Sequence, residues 1–145
     1  MTKEKLFHIG VKALITNKQG DILVLKTIPL QGAAVHWDIP GGRIKEGHSV
    51  EETLRREVLE ETGLQNIAQV EFFTAVVSNI EIPVPDLGKV GLLLMVYTVQ
   101  IPDSTTIVLS EEHTAYEWVD HTEAAERLRY KYPDTFTALL AKRLV

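Results

Sequence analysis

A mixed α and β fold, with a few helices packed on a mainly antiparallel or mixed sheet, is what this sequence predicts. Apolar runs of strand length recur along the whole chain, only three segments combine helical spacing with caps, and strands interleave with those helices. With 145 residues, 45% apolar and 24% charged, the chain has the makings of one compact domain with a real core. No repeat, low-complexity tract or composition shift marks a linker, so a single domain over 1–145 is expected.

Phe7–Thr16 is rich in Val, Ile and Leu and ends at Asn17-Lys-Gln-Gly20, a turn signal; Asp21–Ile28 follows, making a hairpin. Gln31–Gly47 contains Gly32, Pro40, Gly41, Gly42 and Gly47 and reads as mostly loop. Ser49 opens the clearest helix, because Glu52 completes a capping box and Gly63-Leu64 supplies the stop. Val70–Ile82 and Lys89–Ile101 read as strands joined by a loop with Pro83, Pro85 and Gly88, a plausible lip over a ligand. Tyr116–Val119 is a short strand. A helix capped by Asp120 with Glu123 follows, then a last one after Asp134 carrying Phe136, Leu139, Leu140 and Leu144.

Charge and composition exclude several classes of function. The net charge, 15 − 20 = −5, does not suit a partner that is a long nucleic acid. A phosphate ligand is still allowed, because a bound metal can supply positive charge locally. Without cysteine there are no disulfides and no thiolate metal sites. No stretch has the length of a membrane span and Met1–Gly10 lacks a signal-peptide core, so no membrane partner and a cytoplasmic location are expected.

The Ser49–Thr62 helix carries its charges in an unfavourable place. At 100° per residue from Val50, Leu54 and Val58 fall near about 40° and 80°, while Glu61, Glu57 and Glu60 fall near about 20°, 340° and 280°. Glu57 and Glu61 therefore lie on or beside the buried stripe. Glu51–Arg55, Glu52–Arg56 and Arg56–Glu60 are ordinary surface pairs, but Glu57 and Glu61 are four apart and repel. All three also occupy the last turns, where the macrodipole disfavours anions by roughly 0.3–1 kcal/mol each. A hard divalent cation bound by carboxylates explains the cluster; a salt bridge to a distant Lys or Arg is the alternative.

The segment Gly42–Leu64, GRIKEGHSVEETLRREVLEETGL, resembles the signature of the Nudix hydrolases, a MutT-like pattern. Gly42, Arg56, Glu57, Val58, Glu60, Glu61, Gly63 and Leu64 match it, while His48 stands where the first Glu is expected. Trp37-Asp-Ile-Pro-Gly-Gly42, Ser110-Glu-Glu-His113 and Tyr116-Glu-Trp-Val119 extend the similarity over most of the chain. The resemblance implies an α/β/α sandwich around a mixed sheet with a loop–helix–loop, and attack of water on a diphosphate with Mg²⁺ or Mn²⁺ as cofactor. It implies Glu57, Glu60 and Glu61 as metal ligands and Arg56 as the group orienting a carboxylate. Gly41 and Gly42 would allow close approach of backbone to substrate.

The general base is Glu112 by resemblance to relatives with a Glu outside the signature, with Glu111 and Glu57 as alternatives. For His48 the favoured outcome is that Glu46 or Glu51 substitutes for the missing acid. A solvent-facing replacement and weakened metal binding are the other two. Trp37, Phe72, Phe73, Tyr97 and Trp118 read as core before base-stacking residues.

The small-molecule substrate implied is a nucleoside triphosphate or another nucleoside diphosphate derivative. The marker Pro or Tyr of some subfamilies is missing from residues 66–82. An ADP-ribose or nucleotide-sugar pyrophosphatase, or a catalytically weak nucleotide-binding sensor, are the competing readings. Nothing in the residues sets the oligomeric state; a homodimer is the working expectation.

Overall fold

The computed structural model of the chain describes residues 2–29, 34–102 and 106–142. Its elements in chain order are β1 (Phe7–Thr16), β2 (Ile22–Thr27), β3 (Trp37–Asp38), β4 (Gly41–Arg43), α1 (Val50–Thr62), β5 (Ala68–Val77), β6 (Ile82–Val84), β7 (Gly88–Gln100), β8 (His113–Val119), α2 (His121–Arg127) and α3 (Asp134–Ala141). The main sheet path is β3-β2-β1-β7-β5, with β4 paired to β1, β6 to β7 and β8 to β2. β1 and β7 run parallel and the other pairings are antiparallel, so the sheet is mixed.

β1 reads as a near-continuous apolar run because both faces are covered. Val11, Ala13 and Ile15 face Leu54, Val58 and Leu64 of the α1 layer. Leu14 belongs to the opposite core, with Ala124, Leu128, Tyr132, Phe136 and Leu140 of α2, α3 and their linker. Two cores separated by one sheet make the α/β/α sandwich.

The β1–β2 turn forms as its composition demands. Asn17 Oδ1 accepts from the backbone N–H of Gln19 and Asp21, and Gly20 takes a left-handed φ of 82°. The helices start at the expected caps: Ser49 Oγ accepts from Glu52 N–H, and Asp120 Oδ1 from Glu123 N–H.

The Gly/Pro-rich segment before the first helix is mostly loop in its described part, as expected, with two short strands, β3 and β4, paired to β2 and β1; strands of two and three residues leave no readable period. Two expectations are corrected. The Val70–Ile82 strand is broken after Val77, where Ser78 and Asn79 turn away to bond the Lys131 carbonyl. The loop expected as a lip is a tight β6–β7 hairpin, with Val84 paired to Gly88 and Asp86 at a φ of 67°. Gln31, Gly32 and Leu144 lie outside the described residues.

Candidate active site

α1 is fixed at both ends, by Ser49 and by Gly63 in the left-handed region, whose N–H donates to the Leu59 carbonyl. Its apolar residues Leu54 and Val58 seat it on the sheet, and that rotation dictates where its acids point. Glu61 is buried, Glu57 is half-buried and Glu60 is exposed. The order follows the helical angles expected from the sequence.

The segment Asp38–Arg43 passes beside these carboxylates. The Gly41 N–H donates to Glu61 Oε1 at 3.0 Å. A Cβ on Gly42 would lie 2.5 Å from Glu57 Oε1, so a larger residue there would push that carboxyl group aside. Gly41 and Gly42 thus lie directly against the acid cluster.

On the other side stands the segment before β8. Ile28 N–H donates to the Glu112 carbonyl, and Ser110 Oγ accepts from Glu112 N–H, which ties this segment to the end of β2. Glu60, Glu61, Ser110, Glu111 and Glu112 line one cleft of about 390 Å³. The two loop acids singled out in the sequence therefore share a cleft with Glu60 and Glu61, while Glu57 does not line it.

The carboxylates strain against each other electrostatically. Burial pushes Glu61 up to about 7, with Lys12 and the Gly41 N–H opposing and Glu57 and Asp38 adding. Burial also raises Glu57, helped by Glu60 and Glu112 and opposed by Arg56. Arg56 lies 3.6 Å from the half-buried Glu57 and 4.0 Å from the exposed Glu60, within ion-pair range of both. Glu51 pairs with Arg55 as expected.

His48, at the position where the acid is missing, lies against Arg56. Glu51 is engaged by Arg55, while His48 itself takes the Arg56 guanidinium, which lies 2.7 Å from Nδ1. Arg56 has only donors, so Nδ1 must accept and the proton sits on Nε2.

A second buried polar cluster, unmarked in the sequence reading, lies across the sheet. Asp38 Oδ2 accepts from Lys12 at 3.2 Å and Lys131 at 2.7 Å, and Oδ1 accepts from the Tyr132 hydroxyl at 2.7 Å. These cations and the hydroxyl outweigh burial and hold the Asp38 carboxyl far below the usual carboxylate range, although burial, the largest influence, acts in the opposite direction. One signal was available: Lys12 interrupts the apolar run of β1, where a charge needs a buried partner.

Glu61 makes the stability of the cation-free protein depend on pH. Its folded value, about 7, lies above the ordinary 4.5, so its contribution is fully present below about 4.5 and is lost as pH rises through about 7. Between pH 8 and 6 the melting temperature of chelator-treated protein is expected to rise more than that of Glu61→Gln. Parallel curves for the two proteins in thermal unfolding would refute the assignment.

Carboxylate oxygens are the donors that hard divalent cations take, and mutually repelling acids beside a cleft fit such an ion. Among the described residues no group of three or more His, Cys, Asp or Glu side chains is placed so that it could hold a metal ion by itself. An ion that keeps waters and takes ligand phosphate oxygens does not require one.

A sandwich with a carboxylate-bearing helix beside an acidic cleft, its buried acids packed against Gly41 and Gly42, defines the class of protein. The family model described as NUDIX domain matches residues 6–140. The chain belongs to the Nudix family. The MutT protein from Methanosarcina mazei Go1 is 28% identical with a TM-score of 0.65, over 96% of this chain and 94% of that one. A putative 8-oxo-dGTP diphosphatase of Bacillus subtilis is 43% identical over 60 residues, 40% of this chain and 36% of that protein. A Myxococcus xanthus protein named octanoyltransferase is 29% identical over 111 residues, 76% of this chain. The chain spans 29% and 36% of the lengths of these two curated relatives.

Proposed function

We propose that this chain is a single-domain, metal-dependent pyrophosphohydrolase that cleaves a diphosphate bond in a nucleoside triphosphate or another nucleoside diphosphate derivative. The observation that carries the reading is the buried Glu61 and half-buried Glu57, packed against Gly41 and Gly42, with Glu61 lining a cleft beside Glu60 and Glu112. Supporting it, one relative bears the name of an 8-oxo-dGTP diphosphatase and another that of an RNA pyrophosphohydrolase.

In this reading Glu57, Glu60 and Glu61 hold Mg²⁺ or Mn²⁺. When bound, the cation neutralises diphosphate oxygens and acidifies water at the site. Arg56 keeps the Glu57 carboxylate oriented. Gly41 and Gly42 form the floor on which the substrate phosphates rest, close to backbone because neither carries a side chain. Glu112 takes the proton from the attacking water, a role that needs only hydrogen-bond reach across the cleft. The setting is cytoplasmic and the substrate is a free nucleotide.

The deciding experiment is phosphate and pyrophosphate release over a panel of nucleotides, with magnesium and with a chelator. Magnesium-dependent turnover of at least one nucleotide is expected. Saturable binding with no turnover of any compound would replace this reading with a nucleotide sensor, which the loss of an acid at His48 favours.

His48→Glu supplies a second test. A carboxylate would give Arg56 a charge-assisted partner and return a negative charge beside the metal ligands. Activity at limiting magnesium is expected to rise in this variant. Unchanged turnover and magnesium dependence would place His48 outside the working site.

A further inference from the structure

We propose that Lys131 and Tyr132, in the linker between α2 and α3, are positioning residues for Glu61 that act through the sheet by way of Asp38, Lys12 and Gly41. The inference rests on the reading of Glu61 as part of the metal-holding group, and extends it to residues far outside the α1 segment.

The linker backbone is held first. Ser78 Oγ and Asn79 N–H both donate to the Lys131 carbonyl, at 2.8 and 2.9 Å, and Asn79 Nδ2 donates to the Tyr132 carbonyl at 3.0 Å. With its backbone clamped to the end of β5, the linker aims two side-chain donors at Asp38, one on each carboxylate oxygen. Lys12 reaches Oδ2 from β1. Asp38 is thus gripped from both sides, three residues before Gly41.

The grip is transmitted to Gly41 by two routes. Lys12 is the β-pair partner of Gly41, so its backbone sets the strand on which Gly41 lies. Its aliphatic stem runs under the bare α-carbon: a Cβ on Gly41 would come within 2.8 Å of Lys12 Cδ. The stem stays there because its ammonium is anchored on Asp38. The Pro40 carbonyl, accepting from Ala13 N–H at 2.8 Å, closes the same segment onto β1. Gly41 then presents its N–H to Glu61 Oε1 on the far side of the sheet.

Fold stability alone does not account for a buried and a partly buried lysine on one carboxylate. A buried ion pair is often no better than an apolar replacement of the same shape, and here the second lysine adds a desolvated charge without a second acid bonded to it. Burial indeed pushes the Lys131 ammonium down from its ordinary value. An arrangement that costs stability yet fixes one glycine amide against a site carboxylate is better explained by the position it enforces.

Lys131→Met is the variant of choice, because Lys12 and Asp38 remain a charge-balanced pair and the protein should fold; Tyr132→Phe removes one hydrogen bond and serves as the milder companion. In the metal-free protein, hydrogen exchange at the Gly41 amide is expected to accelerate about tenfold in Lys131→Met, with amides of β7 unchanged. The magnesium concentration giving half-maximal turnover should rise by roughly tenfold, the size typical of losing a group that supports metal ligands. KM for the nucleotide should stay put, and Lys131→Arg should restore both readings.

Unchanged Gly41 exchange overturns the proposal. So does faster exchange with an unmoved magnesium dependence, provided Glu61→Gln moves it. If Glu61→Gln itself leaves the magnesium dependence intact, the reading of the site fails instead, and Gly41 exchange alone decides whether the link exists.

Discussion

Glu61→Gln is expected to lower kcat by about a hundredfold or more while making the metal-free protein more stable. The opposed signs have a common cause. Gln keeps an oxygen to accept the Gly41 N–H, so local geometry survives. What is lost is the negative charge, which burial disfavours in the absence of a cation and which a bound cation requires. Loss of a direct ligand should exceed the roughly 10–100-fold cost of losing groups that merely support ligands. Steady-state turnover at saturating magnesium and thermal unfolding with a chelator read the two effects separately. A variant with normal turnover and an unaltered magnesium requirement would remove Glu61 from the site.

Asp38→Ala is expected to give the largest stability loss, about 3–5 kcal/mol, because it strands a buried and a partly buried ammonium group and a buried hydroxyl at once. A fall in Tm of about 10 °C or more should follow for a chain of this size. Lys131→Met, which leaves Asp38 its Lys12 partner, should lose far less. Equal losses in the two variants, measured by thermal unfolding at pH 7, would mean that the charge imbalance is not what the cluster resists.

What the sequence revealed about the site was largely confined to one helix. Ser49, Glu52 and Gly63 define the ends of α1, and its apolar stripe then locates Glu57 and Glu61 by rotation alone. That inference needs only local periodicity, which is why it survives. The short strands β3 and β4 escaped because their pairing partners, not their own residues, make them strands. The Asp38 cluster escaped for a related reason: positions 12, 38, 131 and 132 meet only after the sheet has formed. Arg56 lies near Glu60, as their spacing implies, and also against His48, whose imidazole has a lone pair of its own to offer.

The parallel pairing of β1 with β7 carries a consequence for how the molecule comes into being. Phe7 to Thr16 find their partners only at Gly91 to Gln100, so the centre of the sheet closes between segments separated by most of the chain. The sheet that α1 packs on is complete only after that closure, and long-range pairing of this kind is slow to nucleate. A nascent chain ending soon after Gly63 would already contain the whole acidic helix and both glycines, yet would have no complete sheet on which to mount them. Synthesis must run past Gln100 before the apolar stripe of α1 has its finished surface to meet, and until then that stripe is exposed to chaperones and proteases.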